Sequence, residues 1–170
     1  HLEEEPFSPL GVYGQTKAAG DAIVSTVPRH YIVRTSWVIG DGGNFVRTMA
    51  SLAERGVDPA VVDDQIGRLS FTEDIAAGIV HLLRTRPAFG TYNLTNAGPS
   101  MSWAEIARLV YAGTGHDPAR VTGVSTAEYF AGKEAAPRPA HSTLTLDKIE
   151  ATGFAPRDAR DALAAYLAGR

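Results

Sequence analysis

The chain has 170 residues, 44% of them hydrophobic and 21% charged, a composition ordinary for a globular protein with a core of useful size. Its net charge is −3 with no basic block, so nothing in it makes an electrostatic case for nucleic-acid binding, and with no cysteine it has neither a disulfide framework nor a thiolate nucleophile. No apolar run approaches the roughly 20 residues needed to span a bilayer and no signal peptide is visible, so a cytoplasmic location without membrane contact is the expectation.

In chain order, His1 to Gly11 reads as a loop: acidic Glu3, Glu4 and Glu5 are followed by Pro6 and Pro9. Tyr13 to Val27 reads as a helix, with Ala18, Ala22 and Val24 among polar Gln15, Asp21 and Ser25, and with Pro28 as its stop. His30 to Ser36 is rich in β-formers and reads as a strand. A glycine-rich turn, Gly40 to Gly43, leads to a helix from Asn44 to Arg55, closed by Gly56. Val61-Val62 is a short strand, and Asp63-Asp64-Gln65 opens a loop. Thr72 suits an N-cap, with Glu73 and Asp74 at the positive helix end, and the helix through Arg84 places Ile75, Ile79, Leu82 and Leu83 on one face.

Thr91 to Thr95 is a further strand, and Ser102-x-x-Glu105 is a capping box opening a helix through Ala112. Arg120 to Val124 reads as a strand, Ala127 to Phe130 as a helical turn, and Gly132 to His141, with two prolines, as a flexible loop. Two helices close the chain, Leu146 to Thr152 and Arg157 to Ala168; Ala159, Ala162, Leu163, Tyr166 and Leu167 give the second its apolar face. Alternating strands and helices predict an α/β fold.

Chemistry concentrates at Tyr13-Gly14-Gln15-Thr16-Lys17. Residues four apart share one helix face, and an ammonium beside a phenol favours the phenolate. A phenol so placed can pass a proton to a developing alkoxide as a general acid. The competing interpretation is a half-buried tyrosine beside a solvated lysine. Other chemistries lack their patterns: His1, His30, His81, His116 and His141 show no metal-ligand spacing, Gly123-x-Ser125 lacks the second glycine of a nucleophile elbow, and no phosphate loop ends in Gly-Lys-Ser/Thr. Asp63 and Asp64 could form an acid/base pair, but adjacent residues of a strand point to opposite faces, which favours a loop-edge role.

After the Tyr/Lys pair come Arg34-Thr35-Ser36-Trp37, Asn44-Phe45-Val46, Asp64-Gln65-x-Gly67, Gly90-Thr91-Tyr92-Asn93, Ser102-Trp103 and Arg138-Pro139-x-x-Ser142. In that order the set resembles the dTDP-4-dehydrorhamnose reductase family of the extended short-chain dehydrogenase/reductase superfamily, most closely over residues 6–82. The resemblance implies a Rossmann-like fold with a substrate-binding lobe: residues 1–60 a remnant of the cofactor-binding domain carrying the Tyr/Lys helix, residues 61–170 mainly substrate lobe and interleaved with the former. The superfamily's glycine-rich strand–turn–helix, which holds the cofactor pyrophosphate, is absent. The nearest look-alike, Gly40-Asp41-Gly42-Gly43-Asn44-Phe45, has Phe45 where the third glycine should stand. The catalytic Ser/Thr of the family has no room in the twelve residues before Tyr13. The chain is therefore expected to be the C-terminal part of a longer reductase, inactive alone and prone to self-association.

The resemblance also implies roles. Tyr13 would donate the proton, and Lys17 would hold the nicotinamide ribose of NADPH or NADH; Thr35 and Ser36 would lie by the nicotinamide. Trp37 would face the deoxysugar, its alternative being a core tryptophan. Asn44 at a helix start, Arg68 and Arg138 would contact the diphosphate of a dTDP-sugar; the alternatives are a plain N-cap and two solvated arginines. After Gln65-Ile66-Gly67 the family usually continues with Pro-Thr two residues on, whereas this chain has Leu69-Ser70. The implied activity is reduction of a 4-keto-deoxysugar in dTDP-L-rhamnose synthesis for cell-envelope polysaccharide. Two other readings stay open: a sibling nucleotide-sugar epimerase or dehydratase, and a non-catalytic regulatory subunit like that of methionine adenosyltransferase.

Overall fold

Apolar residues three and four apart build the helices that carry the core. In the computed structural model, which describes residues 1–169, α2 (Phe45–Glu54) buries Val46, Met49, Ala50 and Ala53, and α4 (Trp103–Gly113) buries Ala104, Ile106, Ala107, Val110 and Tyr111. Alanines on both faces let the two helices approach closely. The closing helix α7 (Ala159–Ala168) adds Ala159, Ala162 and Leu163, with Tyr166 and Leu167 half-buried beside them, as its periodicity predicts.

The remaining helices are α1 (Val12–Val24), α3 (Thr72–Thr85), α5 (Thr126–Tyr129) and α6 (Asp147–Glu150), and a 3-10 turn spans Pro118–Arg120. Among the described residues, eight short strands pair two by two. β1 (Tyr31–Arg34) runs parallel to β6 (Gly90–Asn93), β2 (Val38–Ile39) to β5 (Ser70–Phe71), and β3 (Ala60–Val62) to β8 (Thr122–Val124). β4 (Ile66–Gly67) and β7 (Met101–Ser102) are antiparallel, with Gly67 opposite Met101. The α/β class expected from the sequence is the one observed, and the two-residue strands are too short to show as periodicity.

The main core lies among α2, α4, α7 and strands β2, β3 and β5. A smaller cluster of Leu82, Tyr92, Leu94, Leu146 and Ile149 joins α3, β6 and α6. In contrast, α1 buries no residue.

Three expectations need correction. First, α1 stops at Val24, with Ser25 as its C-cap, before Pro28 can act. Second, Thr72 is not an N-cap: Phe71 occupies that position without a side-chain cap, and the Phe71 N–H donates instead to Asn96 Oδ1 at 2.8 Å. Asn96 thus anchors the residue before the helix, while the first turn of α3 has no side-chain cap. Third, the face of α3 is turned. Gly78 and Leu82 are buried, while Ile79 and Leu83 are 38% and 59% exposed. The cause is Leu94, whose methyl would stand 2.5 Å from a Cβ at position 78, so the helix seats its glycine against that side chain.

Asp63 and Asp64 anchor a loop. Asp63 accepts from the Ser102 hydroxyl, and Asp64 accepts from the N–H and hydroxyl of Thr126, tying that loop to the start of α5.

Candidate active site

Helix α1 presents Tyr13 and Lys17 to solvent. Tyr13 is 77% exposed, and the Lys17 ammonium lies 5.7 Å from the centre of its ring. In this chain the tyrosine is exposed, not half-buried. Pro9 packs against Gly14, where a Cβ would come to 3.0 Å from the proline Cβ. The small Ala19 and Gly20 face open space, and nothing lies within 4 Å of a Cβ at Gly20.

Beyond β1 the chain turns sharply at Trp37, whose φ of 46° is left-handed, a conformation that costs a non-glycine residue about 1–3 kcal/mol. Ser70 pins both sides of that turn. Its N–H donates to Trp37 O at 3.1 Å and its hydroxyl donates to Ser36 O. Gly67 fits beneath the indole, since a Cβ there would lie 2.7 Å from the ring. The half-buried indole stacks on Trp103, with centroids 3.8 Å apart and planes 19° from parallel, and Phe45 tilts against Trp103 at 4.6 Å. Next to it, Ser36 Oγ is buried without a hydrogen-bond partner.

Asn44 caps α2 by accepting from Arg47 N at 3.0 Å, and its amide donates to Gly40 O and to the Tyr166 hydroxyl at 2.8 and 2.9 Å. Those contacts occupy both amide hydrogens. Arg68 is partly buried, reaching Thr95 Oγ1, Asn96 O and Leu144 O only at 3.5 Å, and its Nε has no partner. Burial pushes its guanidinium pKa down, against the opposing pull of Glu150 and Asp158. Thr35 and Arg138 are exposed, the latter in the 132–141 loop.

Thus Ser36, Trp37, Gly67 and Ser70 come together, whereas Tyr13, Lys17 and Arg138 stand apart on exposed segments. A hollow of about 280 Å³ beside α1 is lined by Glu3, Phe7, Asp21 and Arg34, among others, and holds none of the predicted site residues. Sequence reasoning assigned no role to Trp103 or Ser70. The signals were present, in Ser102-Trp103 and in the Leu69-Ser70 departure, but pairing across 66 residues is invisible to local pattern.

The chain is 40% identical to the spore coat polysaccharide biosynthesis protein SpsK of Bacillus subtilis, over 100% of this chain and 58% of that protein. It superposes on a dTDP-4-dehydrorhamnose reductase of Clostridium acetobutylicum with a TM-score of 0.90 at 33% identity, covering 99% of this chain and 59% of the other. A Bacillus anthracis dTDP-4-dehydrorhamnose reductase in complex with NADP gives 0.86 at 33% identity, covering 98% and 58%. The chain thus spans somewhat over half the length of these relatives. A family model described as the RmlD substrate binding domain matches residues 1–169, and the chain belongs to that family.

Proposed function

We propose that the full-length protein carrying this chain reduces the 4-keto group of a dTDP-deoxysugar with NADPH or NADH, in dTDP-L-rhamnose synthesis. The observation that carries the reading is the Tyr13–Lys17 pair, held on a helix that contributes nothing to the core and turned outward. Tyr13 is 77% exposed in this chain. In this reading the Tyr13 hydroxyl gives its proton to the substrate oxygen, and Lys17 holds the nicotinamide ribose. When bound, the reduced cofactor supplies the hydride. The unpartnered Ser36 hydroxyl, with exposed Thr35, supplies polar contacts on the nicotinamide side.

Trp37 forms an aromatic wall for the deoxysugar, and Arg68 and Arg138 are the cations for the diphosphate. Asn44, its amide hydrogens already engaged, offers the α2 N-terminus more than its own side chain. The division into a 1–60 cofactor-side remnant and a 61–170 substrate lobe belongs to the same reading, as does self-association of the isolated chain.

The test is an assay of the full-length protein with dTDP-4-dehydrorhamnose and each reduced nicotinamide. Oxidation of the cofactor with formation of dTDP-L-rhamnose is expected. Interconversion of a nucleotide sugar without net cofactor consumption would favour an epimerase instead. Loss of no cofactor with any ketosugar would leave the regulatory-subunit reading.

A further inference from the structure

The Trp37–Trp103 contact has a geometry that neither ring would choose alone. Aromatic pairs favour offset or edge-to-face arrangements with centroids about 4.5–7 Å apart. Here the indoles lie nearly parallel at 3.8 Å, and Trp37 sits on a left-handed backbone. Such a residue persists only where its surroundings over-determine it, and strain of this kind gathers at functional sites.

The surroundings are rigid. Trp103 is the first residue of α4, inside the Ser102–Glu105 capping box, in which Ser102 N donates to Glu105 Oε2 at 2.7 Å and Glu105 N to Ser102 Oγ at 3.1 Å. The β4–β7 ladder sets Gly67 opposite Met101, which brings the start of α4 beside Trp37. Phe45, at the start of α2, supports Trp103 from a third element. The indole of Trp103 is thus fixed by a cap, a strand pair and a neighbouring ring, whereas Trp37 rides on a strained loop.

We infer that Trp103 is a positioning residue, holding the Trp37 indole in one orientation so that it can serve as a preformed wall for the sugar. Ser70 and Gly67 complete the arrangement, one by clamping the twisted backbone, the other by leaving room for the ring. A wall held in advance loses no rotamer freedom when substrate arrives, and so strengthens binding without a new contact. The inference rests on the reading of Trp37 as a sugar-facing residue.

The test is a double-mutant cycle in the full-length protein, measuring KM and kcat for the ketosugar nucleotide and, separately, KM for NADPH. Trp103→Ala is expected to raise the sugar KM by roughly three- to tenfold with little change in the NADPH KM, and Trp103→Phe to restore much of the loss. In a Trp37→Ala background the effect of Trp103→Ala should vanish, because Trp103 acts only through Trp37. An optical readout is independent of activity. The stacked indoles should give an exciton couplet in circular dichroism that disappears in Trp37→Phe and in Trp103→Phe alike. If Trp103→Ala does not fold, Trp103→Leu carries the same cycle.

An equal effect of Trp103→Ala in both backgrounds, with Trp37→Ala itself raising the sugar KM, would overturn the inference while sparing the role of Trp37. An unchanged sugar KM in Trp37→Ala would remove the wall itself and the inference with it. A couplet that persists in Trp103→Phe would show that it does not arise from this pair, and would also overturn it.

Discussion

At the scale of the residue, the catalytic proposal turns on one oxygen. Tyr13→Phe removes only the phenolic hydroxyl from an exposed position, so stability should hold while turnover in the full-length protein falls by about 10²–10⁴-fold, the usual worth of a positioned general acid. Binding of the nucleotide sugar should be nearly unchanged, because the loss is felt in the transition state rather than the ground state. Turnover within a few-fold of the parent would remove Tyr13 from the chemistry. The pair itself was legible from two letters four apart, because the periodicity of a helix fixes which side chains meet. Trp37 was legible only as a candidate. Its stack partner, its left-handed backbone and the Ser70 clamp are products of chain segments that sequence order does not connect.

At the scale of the element, two features give direct tests. Gly78 is a seat for Leu94: a methyl at position 78 would meet a side chain that is only 1% exposed. Gly78→Ala should therefore destabilise by a net amount of up to about 2 kcal/mol, because an overpacking cost of about 1–3 kcal/mol outweighs the roughly 1 kcal/mol gained from helix propensity. A rise in melting temperature would show that Leu94 moves aside freely. The second test concerns acid. Hydrogen bonds from Thr126 hold the Asp64 carboxyl below its ordinary value of 3.8, and hydrogen bonds from Ser125 lower Glu128 from 4.5. A lowered pKa in the folded state means that these carboxylates contribute stability above their unfolded values, and that the contribution disappears as pH falls through their folded values. The link between the β3–β4 loop and α5 should therefore weaken below about pH 4. Asp64→Asn should make the stability of the chain less dependent on pH in that range, as followed by denaturant unfolding at several pH values. An acid limb as steep as the parent's would assign the dependence to other groups.

At the scale of the whole molecule, the surface around α1 governs behaviour in solution. Phe7, Leu10, Val12, Ile23 and Val27 are 50%, 54%, 75%, 70% and 51% exposed, and among the described residues β1 pairs with β6 alone. An apolar surface beside an open strand edge favours pairing with another chain. The 170-residue chain should therefore sediment with a weight-average mass that rises with concentration. It should also bind NADPH weakly at best, since Tyr13 and Lys17 provide few polar contacts against the cost of immobilising a dinucleotide. Sedimentation at several concentrations and calorimetric titration check both parts. A strict monomer binding NADPH at micromolar strength would contradict the prediction.

The sequence by itself determined the α/β class, the Tyr13–Lys17 face, the Ser102–Glu105 capping box and the inward face of α7, and it offered the Asn44 cap as the alternative to a ligand contact. All of these depend on residues within about two helical turns of one another, where backbone geometry translates spacing into direction. Tertiary structure alone decided the rest. It turned α3 so that Gly78 met Leu94, put Phe71 rather than Thr72 at the N-cap with its N–H bonded to Asn96, and joined Trp37 to Trp103 across the β4–β7 ladder. In each case the deciding partner is distant in the chain, and packing against it outweighed a weaker local preference.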